Sequence, residues 1–567
     1  MTEEIRIGVF ICHCGINIGG VVDVPAVVDY ASTLKHVVHA ERNLYTCSSE
    51  GLEAIKSAIK EHNLNRVVVA SCTPRTHESL FRATCKEAGL NPYLFEFVNI
   101  RDQCSWVHMH EPESATEKAK DLVRMGVAKA ARLEPLEELT SDVIPTAVVI
   151  GAGISGMTAA LSLARSGFSV HLIEKEREPG GLLRNLYKLY PTDELAAEFL
   201  EQRIRAVNAH ERITLHLSST VKEVEGYVGK FKVILDEAGV EQAIDAGVII
   251  VATGAKEFEP VGLYEYDGEK VITQLQLEEK LKKSDLNWAA IKNVVMIQCV
   301  GARGEVVGYC SKICCMNAIK NAKLIKETHP EVNVFIAHNE LQAYGEEYEL
   351  YYRAAKKAGV RFLRFPLEQR PKVRKSEGKL IVDVFHERLN LDIPIEADLV
   401  VLSVPLVQNP DALHLSKLLK VPLGQDKFFF EAHVKLRPVD FATDGIFLCG
   451  TAHGPKDIGA SIAQGYAAAS RATIPLAKGY VRSEPIISSV NEELCVGCGI
   501  CESVCPYGAI EVVEVDKDKK RARVTGVKCK GCGTCGSSCV KRAIKMYHFS
   551  DDQLIAQERA AVTTEVR

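Results

Sequence analysis

The feature that most restricts this chain is a pair of cysteine runs near its C-terminal end. CVGCGICESVCP starts at Cys495 and CKGCGTCGSSC at Cys529, two copies of C-x2-C-x2-C-x3-C with 23 residues between them. Three thiolates spaced by two residues wrap one face of an iron–sulfur cube, and the fourth of each run reaches over to the other cube. The expected sets are Cys495, Cys498, Cys501 and Cys539 on one [4Fe-4S] cluster, and Cys529, Cys532, Cys535 and Cys505 on the second. Structural zinc sites typically use two C-x2-C pairs, which would leave the later cysteines of each run unexplained. Pro506 follows the first run, whereas Val540 stands at the equivalent place in the second. The charged connector DKDKKRARV reads as a solvated hairpin tip.

The 567 residues include 19 cysteines, a count that points to metal or redox chemistry rather than structural disulfides. Eight lie in the two runs, four between 299 and 315, six before 105, and Cys449 stands alone. The formal charge of -5 comes from 69 basic and 74 acidic side chains, so no polyelectrolyte field argues for nucleic acid or a membrane surface. The opening MTEEIRIGVFICHCG lacks the basic and apolar regions of a signal peptide, and a cytoplasmic location is expected. The most apolar window, VIPTAVVIGAGISGMTAALSLA, matches a nucleotide fingerprint better than an apolar membrane helix, so no transmembrane segment is expected.

That window continues as AVVIGAGISGMTAALSLARSGFSVHLIEKEREPGG from Ala147. The strand ends in a glycine turn, and a helix opens at once, so Gly151, Gly153, Ile154, Ser155 and Gly156 are the expected pyrophosphate residues. Glu174, with Lys175, closes the next strand about 20 residues on, where its carboxylate can accept from a ribose. One such fingerprint is also compatible with NAD. Three further stretches accompany it: EKEREPGGLL with Gly181 and Leu182, VIIVATGAKEFEP with Ala252, Thr253 and Gly254, and GIFLCGTAHGPKDIGASIAQGYAAA with Gly450. Together they resemble the FAD fold of thioredoxin-reductase-type flavoproteins. In that fold an acidic residue commonly follows the glycine of the last motif. Thr451 follows Gly450 here, and Asp457 is the nearest substitute. The helix carrying Ile458, Ala463 and Gln464 is expected to aim its N-terminus at the flavin's pyrimidine edge.

Reductases of this type carry a second, inserted dinucleotide fold with its own glycines. After the strand NVVMIQ this chain instead runs CVGARGEVVGYCSKICCMNAIKNAKL, with Cys299, Cys310, Cys314 and Cys315 in the place of phosphate-binding glycines. Four thiols from a strand end, a loop and a helix start suffice for one cubane. A vicinal Cys314–Cys315 disulfide, or an exchange dithiol of Cys310 and Cys314, is the competing reading. The segment resembles the cluster loop of the A-type subunits of heterodisulfide reductases, and the resemblance implies an electron path from flavin to cluster. Lys320, further along the same helix, is the catalytic candidate, read as contacting the flavin N5 or stabilising a reduced, anionic flavin, or else as a solvent-facing lysine of an amphipathic helix. Residues 331–353, EVNVFIAHNELQAYGEEYELYYR, share the resemblance with no assigned chemistry.

The first 130 residues alternate strands and helices, with Cys12 and Cys14, Cys47, Cys72 and Cys104 at or after successive strands. Carboxyl ends of parallel strands share one edge. One [4Fe-4S] cluster is expected there, on Cys47, Cys72, Cys104 and either Cys12 or Cys14, with Cys14 preferred because Gly15 permits close approach; buried free cysteines are the plainer alternative. Cys85, within a helix, reads as a buried small hydrophobe. CHCG, SCTPRTHE and NIRDQCSWVH resemble the same family.

The expected class is α/β: a thioredoxin-reductase-like flavoprotein of two dinucleotide folds, with an N-terminal α/β domain and a C-terminal α+β bacterial-type two-cluster ferredoxin domain. The boundaries are 1–140 for the N-terminal iron–sulfur domain, 141–480 for the FAD domain (second fold at about 290–430), 485–550 for the ferredoxin domain and 551–567 for a tail. The resemblance implies an oxidoreductase subunit, with FAD and four [4Fe-4S] clusters, acting as an electron-bifurcating or confurcating centre. It implies B- and C-type heterodisulfide reductase subunits as partners, together with a hydrogenase-, formate dehydrogenase- or methylenetetrahydrofolate reductase-linked module, ferredoxin, and a dimer of heteromeric units. A non-bifurcating relay or scaffold subunit, or a pyridine-nucleotide-dependent disulfide oxidoreductase, is the alternative. Methanogen-type members carry a further ferredoxin insert in the flavin domain; from GGLLRNLYKLYPTDELAAEFL to VEGYVGKFKV this chain has no cysteine.

Overall fold

A computed structural model describes residues 4–516 and 519–562. Residues 517 and 518 of the DKDKKRARV connector and the end of the expected tail, 563–567, lie outside the described residues. The chain forms two compact units, one from residues 1–140 with 482–567 and the other from 141–481.

In the first unit, strands Ile7–Cys12, Val37–Asn43, Arg66–Ser71 and Phe95–Asn99 form a parallel sheet in the order second, first, third, fourth. Ile7, Val9, Phe10, Ile11 and Val67 to Val69 are fully buried, as near-continuous apolar runs in parallel strands require when helices cover both faces. Asp23 and Ser48 cap the helices Val24–Ser32 and Ser49–Glu61 by accepting from Ala26 N (3.1 Å) and Gly51 N (3.3 Å). Residues 488–546 add two short helices, Ile500–Ser503 and Thr534–Ser537, a hairpin of Ile510–Asp516 with Lys519–Val524, and a pairing of Ser488–Val490 with Ile544–Met546. The described part of the expected tail is a helix, Asp551–Val562. Its Ala560 carbonyl accepts from Arg124 Nε (2.6 Å), and Gln553 Nε2 donates to Arg132 O (3.0 Å). Beside it Lys129 pairs with Glu96 at 2.9 Å, His548 Nε2 lies 3.3 Å from the same carboxylate, and all three are buried.

The second unit uses one plan twice. Strands Ile446–Leu448, Val248–Val251, Thr146–Ile150, Ser169–Ile173 and Ile213–His216 form a parallel sheet accompanied by an antiparallel three-stranded one. Strands Val271–Thr273, Leu399–Leu402, Asn293–Ile297, Asn333–His338 and Arg361–Arg364 repeat the arrangement. Ala255–Glu257 and Leu406–Gln408 pair antiparallel as the two connections between the halves. The inserted fold therefore lies between these connectors rather than at about 290–430; its first strand has only three residues, too few for a period to register.

Gly156 sits where a Cβ would lie 1.8 Å from the Gly151 carbonyl oxygen, and a Cβ on Gly151 itself (φ +105°) would lie 2.4 Å from Ala252 O. Gly156→Ala is expected to lift the helix off the strand and cost about 1–3 kcal/mol, read as a lowered Tm. A second outcome concerns pH. Burial pushes His338 down to about 4, so stability is full above the unfolded value near 6.5 and falls as the pH drops towards 4, because the unfolded chain takes up the proton first. Thermal melts across that range check it, and His338→Gln should flatten the slope.

Candidate functional site

The second unit holds a cavity of about 1320 Å³. One stretch of wall is the glycine turn: Gly151, Gly153, Ile154 and Ser155 line it, and the helix Ile154–Arg165 begins there. A Cβ on Gly153 would meet no protein atom within 4 Å, so backbone approach from the cavity is open at the start of that helix. Glu174, 8% exposed, accepts from Ala152 N (2.8 Å) and Glu176 N (3.1 Å), and Lys175 pairs with Asp411 at 2.5 Å. Both line the cavity, as do Gly181, Leu182, Ala252, Thr253, Gly254, Asp457 and Ile458. Thr253 Oγ1 is buried with no hydrogen-bond partner among the described residues. Size, glycine cradle and ribose-ready carboxylate fit an FAD. Gly156, Gly450, Ala463 and Gln464 stand behind the wall: Gln464 Oε1 accepts from Gly450 N (3.1 Å), and its Nε2 meets His453 Nδ1 (3.0 Å). Asp457 is committed twice, capping Ala460 N (2.7 Å) and accepting from the Tyr348 hydroxyl (2.9 Å). The stretch 331–353, read from the sequence as packing or interface, thus makes a specific contact that the sequence did not name, since Tyr348 and Asp457 meet only in the fold.

Far along the wall lie Cys314, Asn317 and Lys320 of the helix Cys314–Thr328. Lys320 is 1% exposed, which overturns its reading as a solvent-facing lysine. Its ammonium pairs with the fully buried Glu278 and donates to Lys188 O (2.8 Å). Burial lowers its pKa, against the pull of Glu278. The next residue, Asn321, donates to Gln274 (2.9 Å), which donates to Ser403 (3.2 Å), and Ser403 also receives Gln298 (2.8 Å) beside Cys299.

Cys299, with φ +65°, follows the strand Asn293–Ile297. Arg370 pins its loop by donating to the carbonyls of Cys299 (2.8 Å) and Ala302 (2.9 Å). Cys299, Cys314 and Cys315 are buried and Cys310 is half-buried; all nineteen cysteines are free thiols, Cys314 and Cys315 included. Burial, with Cys315 and Cys310 nearby, pushes the Cys299 thiol up to about 12. The hydrogen bond between Cys314 and Cys315 raises the first and lowers the second. Four adjoining sulfur donors suit an iron–sulfur cube, whose positive iron offsets the unfavourable burial of thiolates.

At the carboxyl edge of the N-terminal sheet, Cys12 ends its strand, Cys14 (φ +34°) follows it, Cys72 follows the third strand, and Cys47 lies in the turn before the helix Ser49–Glu61. These four thiols are electrostatic neighbours, and burial raises Cys14, Cys47 and Cys72. Cys104 departs from the expected set. The turn Arg101–Ser105 points it inward, its Sγ lies 3.0 Å from Ala115 O, and its charged neighbour is Lys118 rather than a thiol. Cys85 is fully buried in the helix Pro74–Glu87.

The two C-terminal runs repeat at the level of backbone. Gly497 and Gly531 have φ of +68° and +64°, and Gly499 and Gly533 +81° and +79°, each pair placing a thiol loop before a short helix. Cys505 shares a small cavity with Cys529, Cys532 and Cys535. Cys539 packs against the apolar cluster containing Cys495 and Cys501. Cys498 is exposed. Ala509 N and Ala543 N donate to the sulfurs of Cys505 and Cys539, both at 3.3 Å. Among the described residues no three His, Cys, Asp or Glu side chains are drawn together for a single metal ion, whereas a cube spreads its ligands more widely.

Residues 145–465 match the pyridine nucleotide-disulphide oxidoreductase family and residues 489–511 a 4Fe-4S binding domain. The second A-type iron-sulfur subunit of the CoB--CoM heterodisulfide reductase of Methanopyrus kandleri is 42% identical, over 91% of this chain and 92% of its own. The chain belongs to the family of heterodisulfide reductase A-type subunits. The A-type subunit of the H(2):CoB-CoM heterodisulfide,ferredoxin reductase of Methanothermobacter thermautotrophicus is 39% identical over 100% of this chain and 98% of its own. That alignment runs over 658 positions against the 567 residues here, so the relative carries segments this chain lacks. A thioredoxin reductase of Lactococcus lactis overlays 59% of this chain and 100% of its own at 18% identity, with a TM-score of 0.42. This heterodisulfide reductase A-type chain is an oxidoreductase and an iron–sulfur flavoprotein; among its described residues no helix is long and apolar enough to cross a membrane.

The buried pair supplies a test. Lys320→Met strands the Glu278 carboxylate and should cost about 3–5 kcal/mol, whereas Lys320→Met with Glu278→Leu should regain most of it; denaturant unfolding of both variants measures the difference.

Proposed function

We propose that this chain is the FAD- and [4Fe-4S]-bearing electron-transfer component of a heterodisulfide-reductase-type complex, with the flavin site as its bifurcating or confurcating centre. The observation that carries the reading is one continuous cavity wall running from the glycine turn at Gly151 and Gly153 to the thiol of Cys314. That wall supports the reading of a two-electron site next to a one-electron relay. FAD, when bound, supplies exchange of an electron pair, and the clusters accept electrons singly.

The amides that open the helix Ile154–Arg165 bind the pyrophosphate, and Glu174 orients the ribose. Lys320, held by Glu278 and Lys188 O, keeps a proton at Nζ beside the ring end of the cavity. Cys299, Cys310, Cys314 and Cys315 hold one cluster. Cys12, Cys14, Cys47 and Cys72 hold the N-terminal cluster, with Cys104 outside it. Cys495, Cys498, Cys501 and Cys539 hold a third, and Cys529, Cys532, Cys535 and Cys505 a fourth. The partners are B- and C-type subunits, a hydrogenase-, formate- or methylenetetrahydrofolate-linked module, and ferredoxin. Hydride exchange with a free pyridine nucleotide is disfavoured because the thiol loop occupies the place of the second phosphate-binding turn.

Anaerobic determination of iron, sulfide and flavin, with EPR of the reduced protein, tests this. One FAD and about sixteen irons per chain are expected. Cys315→Ala and Cys72→Ala should each lose about four irons and keep the flavin, while Cys104→Ala should keep the full count. About eight irons in the unaltered chain would leave only the C-terminal pair of clusters and remove both relays.

A further inference from the structure

Lys456 lies in the GPKDIG turn just before the helix Ile458–Lys478, and it lines the cavity. Its ammonium donates to Gly450 O and Gly454 O, both at 2.8 Å, and makes no ion pair among the described residues. The carboxylates around it are committed elsewhere. Asp457 caps Ala460 N and receives the Tyr348 hydroxyl, and Glu431 holds His453 at 2.8 Å. A second ammonium, Lys312 of the thiol loop, is close enough to oppose it. Burial pushes Lys456 down to about 8.

Lys456 and the N-terminus of a 21-residue helix thus put positive potential on one stretch of wall, and the exposed Lys312 adds to it from nearby. A half-buried ammonium without a carboxylate partner is unfavourable in the protein alone. The phosphate cradle has its own helix at Ile154–Arg165. Lys312 belongs to the segment that runs into Cys314, which lines the cavity together with Lys456.

We propose that Lys456 is the counter-charge of the reduced flavin ring. The proposal rests on the FAD reading above. Two electrons from the complex's reductant and one proton leave a single negative charge on the ring's pyrimidine edge. The Lys456 ammonium, fixed by the two carbonyls, neutralises that charge and raises the two-electron potential. The lysine also favours addition of sulfite to the flavin, a reaction that forms an N5–S bond and leaves the same negative charge on the ring.

The full-length, FAD-loaded protein and its Lys456→Met and Lys456→Arg variants are titrated with sulfite and poised spectroelectrochemically. Lys456→Met should keep one FAD per chain and bind sulfite about tenfold more weakly, with a two-electron potential lower by about 30 mV, the equivalent of that tenfold change. Lys456→Arg should restore most of both. If Lys456→Met loses its flavin, Lys456→Gln, which keeps a donor for the carbonyls without the charge, undergoes the same measurements. Wild-type sulfite affinity and potential in the charge-removing variant overturn the proposal. Weakened FAD binding at unchanged potential also overturns it, by placing the ammonium on the pyrophosphate. An unaltered chain that takes up no FAD overturns the flavin reading itself.

Discussion

A helix can offer its first amides to an anion only if its opening turn lies close against the strand that feeds it. Here that approach is set by backbone contact. Gly156 packs where a Cβ would fall 1.8 Å from the Gly151 carbonyl, and Gly151 packs in turn against Ala252. Two segments far apart in sequence meet at this point: the fingerprint turn with the helix that follows it, and the Ala252–Gly254 crossover. The open side of Gly153 and the placement of Glu174 follow from the same closeness, because Glu174 accepts from Ala152 N within the turn. Any side chain at the contact would move all of them together.

Beyond that contact, the unit is organised by where charge is buried. Glu278 is fully buried and answered by Lys320, with Lys188 O and Tyr187 N completing their hydrogen bonding. The buried thiols of Cys299 and Cys314 carry raised pKa values in the protein alone, so binding iron has to offset both deprotonation and desolvation. In the other unit the trio Lys129, Glu96 and His548 joins the N-terminal sheet to the segment after the C-terminal thiol runs. These buried sets fix positions more than they add stability, since an ion pair taken out of water roughly breaks even while one broken in place is strongly unfavourable.

The family, the flavin-type fold and the C-terminal thiol runs were legible in the sequence because each is a local pattern: a ligand spacing, a glycine turn between a strand and a helix, a parallel sheet's apolar runs. Burial of Lys320 was not legible. Its neighbours AIKNAK are compatible with a solvated helix face, and its partner Glu278 lies on another helix, Gln274–Lys283. The placement of Cys104, whose Sγ lies 3.0 Å from Ala115 O, was not legible for a related reason, since a turn after a strand decides by its dihedral angles whether a thiol faces the sheet edge or the helix behind it. The inserted fold began earlier than its pattern suggested, at a strand of three residues.

The sequence by itself determined the chemistry present: which cysteines come in ligand-spaced groups, where a phosphate-binding turn must form, and that no second such turn follows Ile297. Those properties rest on interactions between residues close in the chain. Only the tertiary structure decided which distant groups share an environment: Lys320 with Glu278, Tyr348 with Asp457, and Lys456 with the flavin-sized cavity. The physical reason is that burial and electrostatic coupling depend on distance in space and on exclusion of water, and neither is encoded in local spacing.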